Sequence, residues 1–211
     1  MNVFRSRSIG GKAEGSANVV GYTLSIPDNG RFMFMERSEQ KKCSACNYPL
    51  NFQTYNPKYK SKGRIVDRHD GYIISKPDVS GTYDLFYIVS VRFRDFCLKE
   101  KYDGLMFDEF THDPTCFHFR VRRKVKFDVK RRGTLFERYC RVCKNFESVV
   151  GATPSYLVRS KPLTDNFYRT DILFGSAGRR NPDILVGPET KKKLELEKFK
   201  GLVFLPAYGL A

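Results

Sequence analysis

Two C-x-x-C pairs, Cys43-Ser-Ala-Cys46 and Cys140-Arg-Val-Cys143, stand 97 residues apart, and no other feature constrains the chain as much. The same interval returns downstream. Ile88-Val89-Ser90 aligns with Leu185-Val186-Gly187, and Lys101-Tyr102-Asp103-Gly104-Leu105-Met106-Phe107 aligns with Lys198-Phe199-Lys200-Gly201-Leu202-Val203-Phe204. An offset of 99 brings Ile73-Ile74-Ser75 onto Ile172-Leu173-Phe174. Cysteines and a glycine-centred heptamer at one interval indicate a duplication, with halves 1–110 and 111–211 forming one compact unit. Each half has the order knuckle, strand, strand, helix, strand. Solenoids need several short units, so the expected fold is α+β, two pseudo-twofold repeats joined at the cysteines.

Local patterns fill in the halves. Asp84–Val89 and Pro182–Val186 are short, apolar and β-rich, which predicts strands. Helices should follow over Val91–Lys101 and Pro188–Lys198, the second with Pro188 at its first position and Glu189 in its first turn. Gly104 and Gly201 lie just past the helix ends, where a left-handed residue closes a helix. Leu105–Phe107 and Leu202–Leu205 return as strands. Cys116–Lys130 alternates, with Phe117, Phe119, Val121, Val125, Phe127 and Val129 on one face, which predicts a long strand or hairpin. Arg123 breaks that register, so a bulge, a turn or a carboxylate partner is expected there. Loops are marked at Asn56-Pro57, Lys76-Pro77-Asp78 and Gly175–Gly178.

The cysteine pairs carry the strongest chemistry. Six cysteines are too few for a disulfide scaffold in a chain of 211 residues. A C-x-x-C turn offers two thiolates, and two such turns fill the tetrahedral shell of a structural zinc, leaving no open coordination position. Cys43, Cys46, Cys140 and Cys143 are therefore the candidate zinc ligands, with the ion clamping the two halves. A redox dithiol, two reduced pairs or a lost ancestral site are the alternatives. Cys97, on the helix with Phe93 and Phe96, reads as a small core residue, matched by Leu194. Cys116 with His112 and His118 lacks a fourth ligand for a second metal. Adjacent strand residues such as His69-Asp70 point to opposite faces, and no nucleophile motif accompanies them, so no catalytic residues are assigned.

Charge bears on partners. Lys and Arg number 38 against 23 Asp and Glu, a formal net charge of +15. Between Arg120 and Lys144 eleven basic residues meet only Asp128 and Glu137. In a regular strand Arg120, Arg122, Lys124 and Lys126 would form one basic row with His118 and Lys130, a candidate surface for an acidic partner. No apolar run approaches the roughly 20 residues of a membrane span, and the start, MNVFRSRSIGGKAEG, lacks the apolar core of a secretory signal. A cytoplasmic protein without a membrane is the expectation.

The order of parts resembles the double-CXXCG-motif proteins of bacteria, which look like immunity proteins paired with polymorphic toxins. The likeness spans about 40–206 and rests on the two cysteine pairs and on Thr170-Asp-Ile-Leu-Phe…Pro182-Asp-Ile-Leu-Val-Gly…Lys200-Gly-Leu-Val-Phe-Leu-Pro206. Asn47 and Lys144 stand where that family has glycine, a residue that relieves strain in the knuckle turn; Asn tolerates positive φ better than Lys. The resemblance implies a non-enzymatic binder of a cognate toxin. The alternative is a basic zinc-knuckle nucleic-acid-binding protein, although no stacking motif or basic recognition helix is visible. A zinc nuclease or deaminase lacks its H-x-E with P-C-x-x-C signature.

Overall fold

The computed structural model describes residues 18–29, 42–48, 50, 77–82, 86–110, 113–176 and 179–210. Ile73-Ile74-Ser75, His69-Asp70, Asn56-Pro57 and His112 lie outside the described residues. The elements in chain order are β1 (Val19–Ser25), β2 (Val79–Gly81), β3 (Tyr87–Ser90), α1 (Val91–Lys99), β4 (Leu105–Phe110), β5 (Asp113–Val121), β6 (Lys124–Val125) and α2 (Val129–Arg132). There follow β7 (Leu135–Cys140), β8 (Asn145–Val150), β9 (Ser155–Tyr156), β10 (Phe167–Thr170), β11 (Phe174–Ser176), β12 (Arg179–Asn181), β13 (Ile184–Val186), α3 (Pro188–Leu196) and β14 (Val203–Tyr208). Strands outnumber helices, and the mixture is α+β in the broad sense.

Among the described residues the strands form three sheets, ordered β6-β10-β13-β1-β14-β9, β2-β3-β5-β4 and β12-β11-β8-β7. Within the first two, β5 lies between β3 and β4 while β1 lies between β13 and β14. The registers correspond residue by residue. Met106, Phe107 and Asp108 face Arg120, Phe119 and His118, as Val203, Phe204 and Leu205 face Ser25, Leu24 and Thr23. Across the other edge Val89 faces Phe117 and Val79, as Val186 faces Tyr22 and Phe167. β1 thus pairs with residues of the C-terminal half and β5 with residues of the N-terminal half.

The two nine-residue helices start and stop alike. Ser90 (φ −71°, ψ 162°) caps α1, its hydroxyl accepting from the Phe93 N–H; Gly187 (φ −69°, ψ 161°) precedes α3, where Pro188 sets the first turn. Each ends two residues earlier than the sequence suggests. Lys101 (φ 57°) and Lys198 (φ 55°), not the glycines, are the left-handed residues that close them. After α1 the Lys101 and Tyr102 N–H groups donate to Leu98 and Cys97 carbonyls, a Schellman closure. Gly104 (φ 75°) and Gly201 (φ 88°) instead turn the chain into β4 and β14.

One core serves both helical sheets. Phe93 on α1 meets the Phe119, Phe167 and Phe199 rings edge-on at 5.6, 6.1 and 5.2 Å. Cys97 and Leu194 are both buried in the same cluster. A second cluster, with Val149, Leu157, Tyr168 and Leu185, joins the cysteine-bearing sheet to the six-stranded one.

The long strand expected over Cys116–Lys130 is broken. β5 ends at Val121, and Lys124-Val125 pair with Arg169-Thr170 in the other sheet. The period of two survives the crossover because apolar residues point inward on both sides of it. Arg123 sits at the break, its carbonyl accepting from the Arg169 N–H and its guanidinium 3.0 Å from Asp103. Val129 begins the short helix α2. Gly175 and Ser176, read as loop, are the end of β11.

Candidate metal centre

Each C-x-x-C forms a tight turn with the same hydrogen bond. The Asn47 N–H donates to the Cys43 carbonyl at 2.9 Å, and the Lys144 N–H to the Cys140 carbonyl at 2.8 Å. Asn47 (φ 57°) and Lys144 (φ 56°) both adopt the left-handed conformation that the turn demands, so neither the short amide nor the long amine prevents it. The second turn joins β7 to β8, with Cys140 facing Asn145.

The turns converge. The Cys43 and Cys140 sulfurs are 3.8 Å apart, those of Cys46 and Cys143 3.6 Å apart, and all four lie within 4.8 Å of one another. A disulfide needs about 2.05 Å, so these are free thiols. A tetrahedron of sulfurs at the usual zinc distance has edges of about 3.8 Å. The four cysteines are close enough to hold a metal ion. Their protonation is uneven: backbone donors led by Cys143 bring the Cys140 thiol down to about 6, and donors led by Ala45 lower Cys43. At Cys46 the Tyr48 N–H favours the thiolate, but burial and the neighbouring sulfurs push the group up to about 12. Four thiolates together require a cation between them.

Arg180, buried on β12, ties the two turns together. Its Nη2 donates to Asn145 Oδ1 at 3.0 Å, its Nε donates to the Tyr48 hydroxyl at 3.2 Å, and its guanidinium lies 4.6 Å from the Tyr48 ring centre. Asn145 in turn donates to the Cys143 carbonyl at 2.9 Å. A cation held against both knuckles offsets the excess negative charge of a tetrathiolate site. No spacing rule or local pattern reveals Arg180, which stands in the polar run Arg179-Arg180-Asn181.

The basic row is divided. Arg120 is half-buried on β5 with its Nη2 2.6 Å from Asp108, and Arg122 is exposed just beyond that strand. Lys124 and Lys126 are exposed on the six-stranded side of the crossover. His118 is buried, 3.6 Å from Asp108, and does not share the solvent face expected of it. Cys116 is fully buried. No helix among the described residues is long and apolar enough to cross a membrane. Comparison with known proteins finds no matching family model, no matching curated protein and no matching solved structure.

Proposed function

We propose that this chain is an immunity protein, a non-enzymatic cytoplasmic binder that neutralises a cognate toxin, built on a duplicated unit and pinned by one structural zinc. The observation that carries the reading is the knuckle pair. Both turns keep the left-handed residue at the position where the resembling family has glycine, and their sulfurs meet at tetrahedral spacing. The matched registers and helix ends support the duplication, with each half's opening strand seated in the other half's sheet. A shell of four cysteines is closed, which fits a structural ion.

Binding would use charge. Arg122, Lys124 and Lys126 are exposed, and Arg120 stands beside them. Charge reversal at Arg122 and Lys126 should slow association with an acidic toxin surface and flatten its salt dependence. Co-expression with a toxin encoded beside this chain tests the role, and failure to rescue growth removes it. Elemental analysis of untagged protein should give one zinc per chain. The balance of +15 favours nucleic acid as the second reading, which tight, salt-sensitive binding to DNA or RNA would promote.

A further inference from the structure

We propose that the cleft between β5 and the β10–β13 side of the six-stranded sheet binds a small organic oxyanion, a carboxylate or phosphate carried on an apolar body. The cleft has a volume of about 310 Å³. Arg120 on β5, Arg122 just past it and Arg169 on β10 of the other sheet line it, with Phe86, Phe119 and Ile184 as apolar wall. No carboxylate belongs to its described lining. Arg120 is already paired with Asp108, but among the described residues neither of the other two has a carboxylate within ion-pair distance. Among the described residues Arg122 Nε reaches only Met106 Sδ at 2.8 Å, and Arg169 Nη1 only the Thr170 carbonyl at 3.4 Å. Burial lowers the pKa of Arg169, a cost that Asp171 offsets in part.

The fold does not require these charges. In the corresponding strand pair, β1 with β14, Ser25 stands in place of Arg120, Thr23 of His118 and Leu205 of Asp108. At the position of Arg169, the corresponding strand β2 has Gly81. Each of the two similar sheets has therefore placed an arginine at this cavity where the other has a neutral residue. Planar guanidinium groups match carboxylate and phosphate oxygens in pairs, and apolar walls with few convergent polar groups are what small-ligand sites present. The site is separate from the knuckles and does not depend on the toxin reading.

The test is calorimetric titration of the zinc-loaded full chain with benzoate and phenyl phosphate, with benzamide and inorganic phosphate as controls. Saturable binding of benzoate or phenyl phosphate is expected, and the tighter of the two names the oxyanion. Benzamide, which keeps the ring without the charge, should bind at least about tenfold more weakly, and inorganic phosphate likewise. Arg122→Gln and Arg169→Gln should each weaken the better probe about tenfold. If Arg169→Gln does not fold, the exposed Arg122→Gln decides. Absence of saturable binding, equal affinity for either control, or unchanged affinity in the folded variants overturns the proposal.

Discussion

The β3–α1–β4 and β13–α3–β14 segments match in strand register and in the dihedral angles at their helix ends, and hold these by different means. α1 begins on a hydroxyl: Ser90 accepts from Phe93 and donates to Asp78 Oδ1 at 3.0 Å. α3 begins on a glycine packed so closely that a Cβ at Gly187 would lie 2.0 Å from the Thr164 carbonyl oxygen. The same contrast holds past the helices. A Cβ at Gly104 would meet the flexible Arg123 side chain at 3.1 Å, whereas one at Gly201 would lie 1.9 Å from the Val79 carbonyl oxygen. The first segment is fixed by polar side chains and the second by close backbone contact. Similar geometry therefore does not imply similar tolerance to mutation.

The largest expected effects are at the two crowded glycines. Gly201→Ala should cost about 3 kcal/mol or more, from positive φ and the clash together, against about 1 kcal/mol for Gly104→Ala. Gly187→Ser should also destabilise, although serine is the better cap at Ser90, because the clash outweighs a cap worth about 1 kcal/mol. Equal losses in chemical denaturation at Gly104 and Gly201 would break the contrast.

Asp183 sharpens it from another side. It occupies the position where the first segment has the buried Phe86, its Oδ2 has no hydrogen-bond partner among the described residues, and burial pushes the carboxyl up to about 6. The unfolded carboxyl titrates near 3.9. Between about pH 4 and 6 the folded state therefore holds the extra proton, and this group's contribution to stability falls as pH rises through that window. Asp183→Asn should stabilise the protein by about 2 kcal/mol at pH 7 and remove that slope. Denaturation at pH 4 and pH 7 measures both; a variant no more stable at pH 7 would show that the carboxyl is solvated.

Ser90→Ala should cost about 1 kcal/mol by removing the hydroxyl that the Phe93 N–H uses. The smallest effect is expected at Lys193, whose Nζ lies 2.6 Å from Asp165 and 2.7 Å from Glu100 and so links α3 to the end of α1. Because the groups are partly exposed, Lys193→Gln should cost under about 1 kcal/mol and less in high salt.

The sequence was informative where local chemistry decides the outcome. Pro188 after Gly187 marks a helix start, and paired C-x-x-C turns at one interval indicate that their sulfurs can meet. It failed where tertiary pairing decides. Residues 116–130 kept their alternation across a crossover between two sheets, so nothing local signalled that Val121 ends one strand and Lys124 begins another. Val19–Ser25 was not recognised as a strand at all, since its partners lie near the far end of the chain. Arg169 and Arg180 acquire their surroundings only after folding.

That pairing governs the order in which the molecule can be made. β1 is synthesised first among the described strands, yet Val19 must pair with Tyr208 and Tyr22 with Val186. At roughly 5–20 residues per second, translation of the intervening chain takes on the order of 10 to 40 s, during which β1 has no partner strand. Once made, β13 and β14 leave a slot between them that only one strand of matching register fills. A strand that waits beside other nascent chains can enter a neighbour's slot as well as its own, so dimers exchanging β1 are the expected misassembly when synthesis outpaces folding.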